Sequence, residues 1–225
     1  MEERCRTLRF MRNPVLNLDG VWQMKVTLRL PPAASEATGH PDPGVTPAAR
    51  ELVGEAVSAE GWTPVTLPQM LPFFKENDGE AVFRKVIVVP ESAAGKDMIL
   101  ALGALDDFDN TYFNGVEVGH TDTKTASWWL AQRNYVVPGG LVKAGRNVLA
   151  VRLFDRFNEG GFVGNGGPPD LLADRPGPQA TGVSVGDSRM YLRPKPDTDD
   201  SPDPYCPDYR TDFPMGDNPY RYYRW

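Results

Sequence analysis

The residues in this sequence with the clearest potential for chemistry are aromatic and polar side chains that suit a sugar. Trp128 and Trp129 are adjacent, and on a strand one of two adjacent side chains must face away from the core. An exposed indole offers a flat face to a pyranose ring, and charged or amide groups pair with its hydroxyls. If loops 121–133 and 155–169 lie at one end of the fold, the candidate ligand-binding residues are Trp128, Trp129, Arg133, Asp155, Arg156, Asn158, Asn165 and His120.

Three aspartates form a second candidate site. Asp106, Asp107 and Asp109 are close in sequence, and their oxygens suit a structural calcium ion, the one cofactor that the sequence suggests. Two other interpretations stay open. The aspartates cap backbone amides in a turn, or Asp106 and Asp107 join Asp155 and Arg156 in a buried ion network that fixes the loops.

A catalytic centre is not indicated. A glycosidase needs two carboxylates roughly 5 to 10 Å apart, whereas the clustered aspartates here share one connection between strands. The two histidines, His40 and His120, belong to no nucleophilic triad motif. Cys5 and Cys206 are far apart in the sequence, which favours free thiols over a disulfide and argues against a zinc site.

The composition of the chain limits which binding partners and which cellular compartment are expected. The chain of 225 residues has a net charge of −6, which argues against nucleic acid and anionic membranes as partners. No apolar run approaches the roughly 20 residues that cross a bilayer. Residues 1–14 carry several arginines and lack the apolar core of a signal peptide, so the sequence is expected to be either a cytoplasmic protein or a piece without its export signal.

Short strands must position these residues. Apolar alternation and Gly, Pro and Asn turns predict strands at 21–28, 62–68, 82–89, 98–105, 111–113, 116–118 and 148–154, with a last hairpin around 186–187. Asn114-Gly115 is typical of a type I′ turn. The fold class is therefore all-β, an antiparallel β-sandwich or jelly roll.

Three segments complete the expected organisation. Thr46 as N-cap and Pro47 at the first helical position predict one short helix through about residue 59. Segments 69–80 and 155–169 are expected to be loops. Residues 1–192 form the predicted domain, and residues 193–225, rich in Pro, Asp and aromatic residues, form an extended strap that packs on it.

Several motifs together resemble the sugar-binding domain of family 2 glycoside hydrolases over residues 18–169. This domain is also inserted in sialate O-acetylesterase-like and β-galactosidase-like proteins. The motifs are Leu18-Asp19-Gly20-Val21-Trp22, Trp62-x-x-Val65-x-Leu67-Pro68, Phe83-Arg84-Lys85, Tyr112-Phe113-Asn114-Gly115-Val116-Glu117-Val118-Gly119, and Leu141-x-x-Gly145-x-Asn147-x-Leu149. The resemblance implies a galactose-binding-like jelly roll that accompanies a catalytic domain. It would also fit a secreted or periplasmic protein.

Three functions follow from the sequence. The first is a non-catalytic carbohydrate-binding module that is accessory to polysaccharide or glycoside breakdown. The second is a fragment of a glycoside hydrolase or carbohydrate esterase without its catalytic domain. The third is a structural or protein-interaction sandwich without a sugar site. Carbohydrate is the expected ligand, and a catalytic glycosidase or esterase domain or a second copy is the expected protein partner.

Overall fold

The computed structural model describes residues 15–58, 60–164 and 188–192. Asn165, both cysteines, the turn predicted at 186–187 and the strap at 193–225 lie outside the described residues. No helix in the described part is long and apolar enough to cross a bilayer.

The described residues form eleven β-strands and two short α-helices. Short 3-10 turns lie at Glu36–Thr38, Glu91–Ala93 and Gly139–Leu141. The strands are β1 (Leu16–Asn17), β2 (Gly20–Leu30), β3 (Thr63–Leu67), β4 (Asp78–Val89), β5 (Met98–Asp106), β6 (Phe108–Phe113), β7 (Val116–Thr121), β8 (Gln132–Val137), β9 (Gly145–Asp155), β10 (Gly161–Gly164) and β11 (Arg189–Leu192), and the helices are α1 (Pro47–Arg50) and α2 (Pro72–Glu76).

The strands pair into two antiparallel sheets. The six-stranded sheet has the order β3-β2-β4-β9-β6-β7, with its longest ladder between β4 and β9. In the five-stranded sheet β5 is central and pairs with β11, β10 and β8, while β1 extends the sheet beyond β11. The prediction of an all-β antiparallel sandwich is confirmed, and the jelly-roll assignment stays a prediction.

The apolar core lies between the two sheets. Trp22 and Phe83 from the six-stranded sheet meet Phe162 at ring-centroid distances of 5.8 and 5.1 Å. Leu100 and Leu102 of β5 are fully buried in the same cluster. Burial of these side chains supplies most of the driving force for the sandwich, since each contributes about 1.5–3 kcal/mol.

The sequence predicts that one face of strand β2 carries Trp22, Met24, Val26 and Leu28. Trp22 and Met24 are buried as expected, but Val26 is 37% exposed. The register against β4 shifts between Val26 and Leu28, which is a β-bulge. The hydroxyl of Thr27, which lies within the shift, donates to the Glu80 carboxylate at 2.6 Å. The bulge affects Leu28, which pairs with Glu80 and not with a core residue, whereas Val26 pairs with Ala81 of the core cluster and keeps to the predicted face.

A second, smaller apolar cluster covers the outer face of the six-stranded sheet. Val82, Tyr112 and Ala150 pack there against Ala49 and Val53 of the segment that follows β2. The N-cap Thr46 accepts a hydrogen bond from the amide of residue 49, as the sequence predicts. The segment therefore acts as a cover over this face.

The helix in this cover ends much earlier than residue 59. It stops at Arg50, and the carbonyls of Gly54, Glu55 and Val57 accept hydrogen bonds from the Arg84 guanidinium instead of from helical amides. Gly54 also has a low helix propensity. The prediction of a helix through residue 59 was therefore wrong, and the chain beyond Arg50 directs carbonyls to a side chain of β4.

Two predicted loops contain regular structure. Helix α2 begins with Pro72 at its first position within the segment expected to be a loop. Strand β10 lies within the glycine-dense stretch after β9 and pairs with the end of β5. Neither element has enough periodic apolar residues to be recognised from the sequence alone.

A buried ion triad joins the cover to the sheet. Arg152 on β9 donates from Nε to Glu80 at 2.6 Å and from both terminal nitrogens to Asp42 at 2.5 and 2.9 Å. It also donates to the carbonyl of Gly44 at 2.9 Å. The Arg152 and Glu80 side chains are fully buried. Because an unpaired buried charge is costly, this triad fixes loop 42–46 against the sheet.

Replacing Arg152 with Ala is expected to lower the free energy of unfolding by about 3–5 kcal/mol, since it leaves Glu80 buried without its cation. Urea denaturation monitored by tryptophan fluorescence measures this change. Lys124→Ala is the matched control: its ammonium is exposed, so the expected change is within about 0.5 kcal/mol. Equal stability of the Arg152 variant and the wild type would show that the triad is not required.

Candidate functional site

One end of the sandwich gathers most of the candidate residues around Asp107. This residue lies between β5 and β6 and is 6% exposed. One carboxylate oxygen accepts the indole N–H of Trp128 at 2.9 Å, and the other accepts the backbone N–H of Arg156 at 3.0 Å. Asp107 therefore ties the loop after β7 to the start of the loop after β9, and the two meet at this end of the sandwich.

The adjacent tryptophans lie in a turn and not on a strand, so that part of the prediction was wrong. Ser127 before them has a positive φ of 48°, and the amide of residue 131 bonds to the carbonyls of residues 127 and 128. The Trp128 ring packs on Phe108 at 5.3 Å. Trp129 meets Trp128 edge to face at 5.4 Å and remains 37% exposed. The turn thus supplies one anchored indole and one accessible indole.

Arg133 lies inside the fold beneath this turn. Its side chain is fully buried and donates from Nε to Asp109 at 2.9 Å. Its terminal nitrogens donate to the carbonyls of Trp128, Ala131 and Asp107 at 2.5 to 2.6 Å. These bonds hold the backbone of the tryptophan turn, so the structure gives Arg133 a positioning role and leaves it out of reach of a ligand.

Asp109 completes this internal network. It accepts hydrogen bonds from the hydroxyls of Tyr135 at 3.0 Å and Thr111 at 2.8 Å, besides that of Arg133. Burial and the Asp109 charge raise the pKa of Tyr135 above its usual range. The Tyr135 ring lies so close to Gly119 on β7 that a Cβ there would come within 2.1 Å of it. The network therefore depends on a glycine in the neighbouring strand.

Asp155 at the end of β9 is the most unusual carboxyl of the cluster. It is fully buried, and neither oxygen completes a hydrogen bond with the described residues. Burial, followed by the charges of Asp107 and Asp78, raises its pKa to about 8. Burial and Asp107 likewise raise the pKa of Asp106 to about 9. Both shifts favour the protonated carboxyl near neutral pH, so the cluster is expected to carry less negative charge than its composition suggests.

Arg156 and Asn158 lie on the loop that leaves β9. The Arg156 guanidinium is directed toward Gly39, whose carbonyl lies 3.4 Å from one terminal nitrogen. Asn158 is exposed and has a positive φ of 75°. Together with Trp129, the half-buried Trp128 and His120, these two residues are the predicted ligand-binding side chains that this end presents at least partly to solvent.

His120 lies within β7 and borders a groove at this end. The groove has a volume of about 230 Å³ and is lined by Asp42, Gly44, Val45, Asp109, Asn110, Glu117, His120, Thr121 and Asp122. His120 is exposed and pairs with Glu117 at 3.0 Å. Thr121 and Asp122 lead directly into the tryptophan turn. The groove therefore offers hydrogen-bonding groups on the part of the chain that leads into the tryptophan turn.

The aspartates do not form a recognisable metal site. Among residues 15–58, 60–164 and 188–192, no group of three or more His, Cys, Asp or Glu side chains is arranged to hold a metal ion. Asp107 and Asp109 bind protein donors, and the backbone N–H of Arg156 that Asp107 accepts agrees with the turn interpretation. The buried ion pair joins Asp109 to Arg133 and not Asp106 or Asp107 to Arg156. Structural calcium stays a prediction.

Sequence reasoning missed the partners that fix this end. Asp42 gave no signal because it lies in a Pro- and Gly-rich loop. Arg152 could have been recognised, since a charged residue between Val151 and Leu153 in an otherwise apolar strand implies a buried counter-charge. Its acceptor on β4, Glu80, falls in a segment that the sequence predicts to be a loop.

No protein-family model matches the sequence, and no curated protein matches it. Solved structures do. A β-glucuronidase of an uncultured Clostridium species shares 14% identity with a TM-score of 0.51 over 80% of this chain and 29% of its own. Bacteroides uniformis β-glucuronidase 2, covalently bound to cyclophellitol-6-carboxylate aziridine, shares 16% identity with a TM-score of 0.49 over 80% of this chain and 18% of its own.

A Bifidobacterium dentium β-glucuronidase complexed with coumarin-3-O-glucuronide shares 21% identity with a TM-score of 0.44 over 61% of this chain and 20% of its own. The chain thus spans less than a third of the length of each of these enzymes. The match to the Clostridium enzyme shows a shared fold.

Replacing Asp155 with Asn is expected to change how stability depends on pH. With its pKa raised to about 8, folded Asp155 keeps a proton that the unfolded chain releases above about pH 4, so the wild type loses stability from there up to about pH 8. The stability of the variant relative to the wild type should therefore rise with pH, by up to about 1.4 kcal/mol per pH unit. Denaturant unfolding between about pH 5 and pH 8 measures this.

Asp122→Asn is the control, because that carboxylate is 41% exposed. A constant stability difference between the Asp155 variant and the wild type across this range would show that Asp155 is ionised in the folded protein.

Proposed function

We propose that this chain is a non-catalytic carbohydrate-binding module, resembling the sugar-binding domain of family 2 glycoside hydrolases and accessory to glycoside or polysaccharide breakdown. The observation that carries the proposal is the indole of Trp129, which is partly exposed on a turn that Asp107 and Arg133 hold in place. A fixed aromatic face binds a sugar without ordering a loop at the time of binding. The shared fold with part of a β-glucuronidase is consistent with this role.

The polar part of the proposed site comes from the loop after β9 and from the adjacent groove. Arg156 and Asn158 provide donors near the turn, while His120 and Glu117 provide a donor and an acceptor in the groove. Sugar recognition uses such planar groups to pair with neighbouring hydroxyls. Arg133 and Asp155 support this surface from below and make no contact with the ligand.

The glycosidases with a similar structure suggest which classes of sugar to test. Because the structural neighbours are β-glucuronidases, glucuronides and uronic acid oligosaccharides belong in the panel beside galacto-, gluco- and xylo-oligosaccharides. A catalytic glycosidase or esterase domain is the protein partner that this role implies.

Replacing Trp129 with Ala is expected to weaken binding of the recognised sugar at least tenfold, about 1.4 kcal/mol, because the accessible ring is lost. Titration followed by tryptophan fluorescence and by calorimetry measures the change. Trp62→Phe is the control, since that indole lies in the outer-face cluster and donates to the carbonyl of residue 58. Equal affinity of the Trp129 variant and the wild type would reject this site, and no response to the whole panel would reject the proposed function.

A second candidate function is a structural or protein-interaction sandwich. It is favoured by exposed valines at the other end of the six-stranded sheet, where Val21, Val86 and Val88 are 60%, 52% and 68% exposed. Exposed apolar side chains that lie together on one sheet face mark contact surfaces more often than isolated ones do.

A further inference from the structure

An apolar patch lies on the outer face of the six-stranded sheet, at the end opposite the tryptophan turn. Val86 and Val88 are two residues apart on β4 and therefore face the same side. The register that pairs Gln23 with Arg84 places Val21 of β2 across from Val86. Together these three residues form the valine patch, which is distinct from the site proposed for sugar.

The valine patch continues a surface that the chain already covers in part. The cover formed by residues 45–62 packs on Val82 and ends where its carbonyls bind Arg84. Beyond Arg84 the same face of β4 presents Val86 and Val88. The patch is thus the uncovered continuation of an established packing interface.

The edge of the valine patch carries unneutralised positive charge. Arg146 on β9 is paired with Val88 and is exposed. Burial and the charge of Arg146 lower the pKa of Arg84, which shows that the two cations lie close together. In the described residues no carboxylate forms an ion pair with either arginine. A fitting partner is therefore apolar and acidic.

The three segments outside the described residues differ in composition, and the difference indicates which of them suits the valine patch. Segment 1–14 has four arginines against two glutamates, and segment 165–187 has no aromatic residue. Segment 193–225 has seven aromatic residues, and its part from 196 to 217 has seven aspartates against one arginine. The C-terminal segment is the one whose chemistry complements a valine patch with a basic edge.

The position of Leu192, the last described residue, also favours the C-terminal segment as the occupant of the valine patch. Leu192 pairs with Met98 at the start of β5, and a short connection joins that point to Val89 at the end of β4. The C-terminal segment therefore leaves from the end of the sandwich that carries Val88. At about 3.3 Å per extended residue, even its first ten residues span about 33 Å, which exceeds the spacing of about 10 Å between packed sheets.

We propose that segment 196–225 of this chain docks on the valine patch, with its aromatic rings over Val21, Val86 and Val88 and its aspartates toward Arg146. The docked segment extends the cover over the outer face of the six-stranded sheet. This inference is independent of sugar binding.

The test uses the full chain with Cys5 replaced by Ser and a nitroxide on Cys206. Paramagnetic broadening of methyl NMR signals then reports which side chains the segment approaches. The methyl signals of Val21, Val86 and Val88 are expected to broaden, while that of the exposed Met70 near the tryptophan end is not. Sharp signals from the valine patch overturn the proposal. Broadening that disappears on dilution with unlabelled protein also overturns it, because the occupant is then a second copy.

A pair of variants tests the same docking by proteolysis. Val86→Asp with Val88→Asp is expected to increase chymotrypsin cleavage within segment 205–225 about tenfold, because cleavage follows the population of the undocked state. Val26→Asp is the control, an exposed valine of β2 outside the patch. Thermal unfolding of each variant verifies that the sandwich is folded. Equal cleavage of the double variant and the wild type contradicts the proposal.

Discussion

A guanidinium buried between a sheet and the segment that covers it must find an acceptor on each side, since an unpaired charge there costs several kcal/mol. Arg152 meets this demand with Glu80 on the neighbouring strand and Asp42 on the cover. The same Glu80 carboxylate accepts from Thr27 at the β2 bulge and from Thr46 at the helix N-cap. One charge pair thus links the bulge, the helix start and the covering loop.

The same principle shapes the tryptophan end. Arg133 binds three backbone carbonyls and Asp109, and Asp107 binds one indole and one amide across two loops. Each group satisfies donors or acceptors that a turn would otherwise leave unpaired in the interior. The exposed ring of Trp129 is therefore carried by a turn whose order comes from buried charge and not from regular secondary structure.

The sequence was most informative where structure is local. Asn114 and Gly115 both adopt the positive φ angles of the predicted turn, and Trp22 and Met24 follow the alternation of a half-buried strand. It was least informative where a distant guanidinium captures backbone carbonyls. Arg84 binds carbonyls of the non-helical segment after the helix of the cover, and Arg133 holds Trp128 in a turn. Neither effect has a signature in the neighbouring sequence, because the partners meet only in the folded chain.

For the candidate site, the sequence indicated the two loops that meet at one end and the residues they carry. It could not separate exposed from buried members, because Arg133 and Arg156 look alike as polar residues beside a loop. Their difference arises from the sheet beneath them: Arg133 lies on β8 beside Asp109, and Arg156 follows the last residue of β9. Burial depends on how the two sheets pack. The spacing of apolar residues in the sequence indicates burial only within regular strands.

The pairing of β1 with β11 has a consequence for how the protein is made. Leu16 pairs with Met190, and β11 is also a partner of the central strand β5. During synthesis, β1 and part of one edge of β5 have no partner until nearly the whole domain has left the ribosome. Contacts of such large sequence separation slow folding and prolong the exposure of strand edges. The five-stranded sheet is therefore completed only when β11 pairs, late in synthesis.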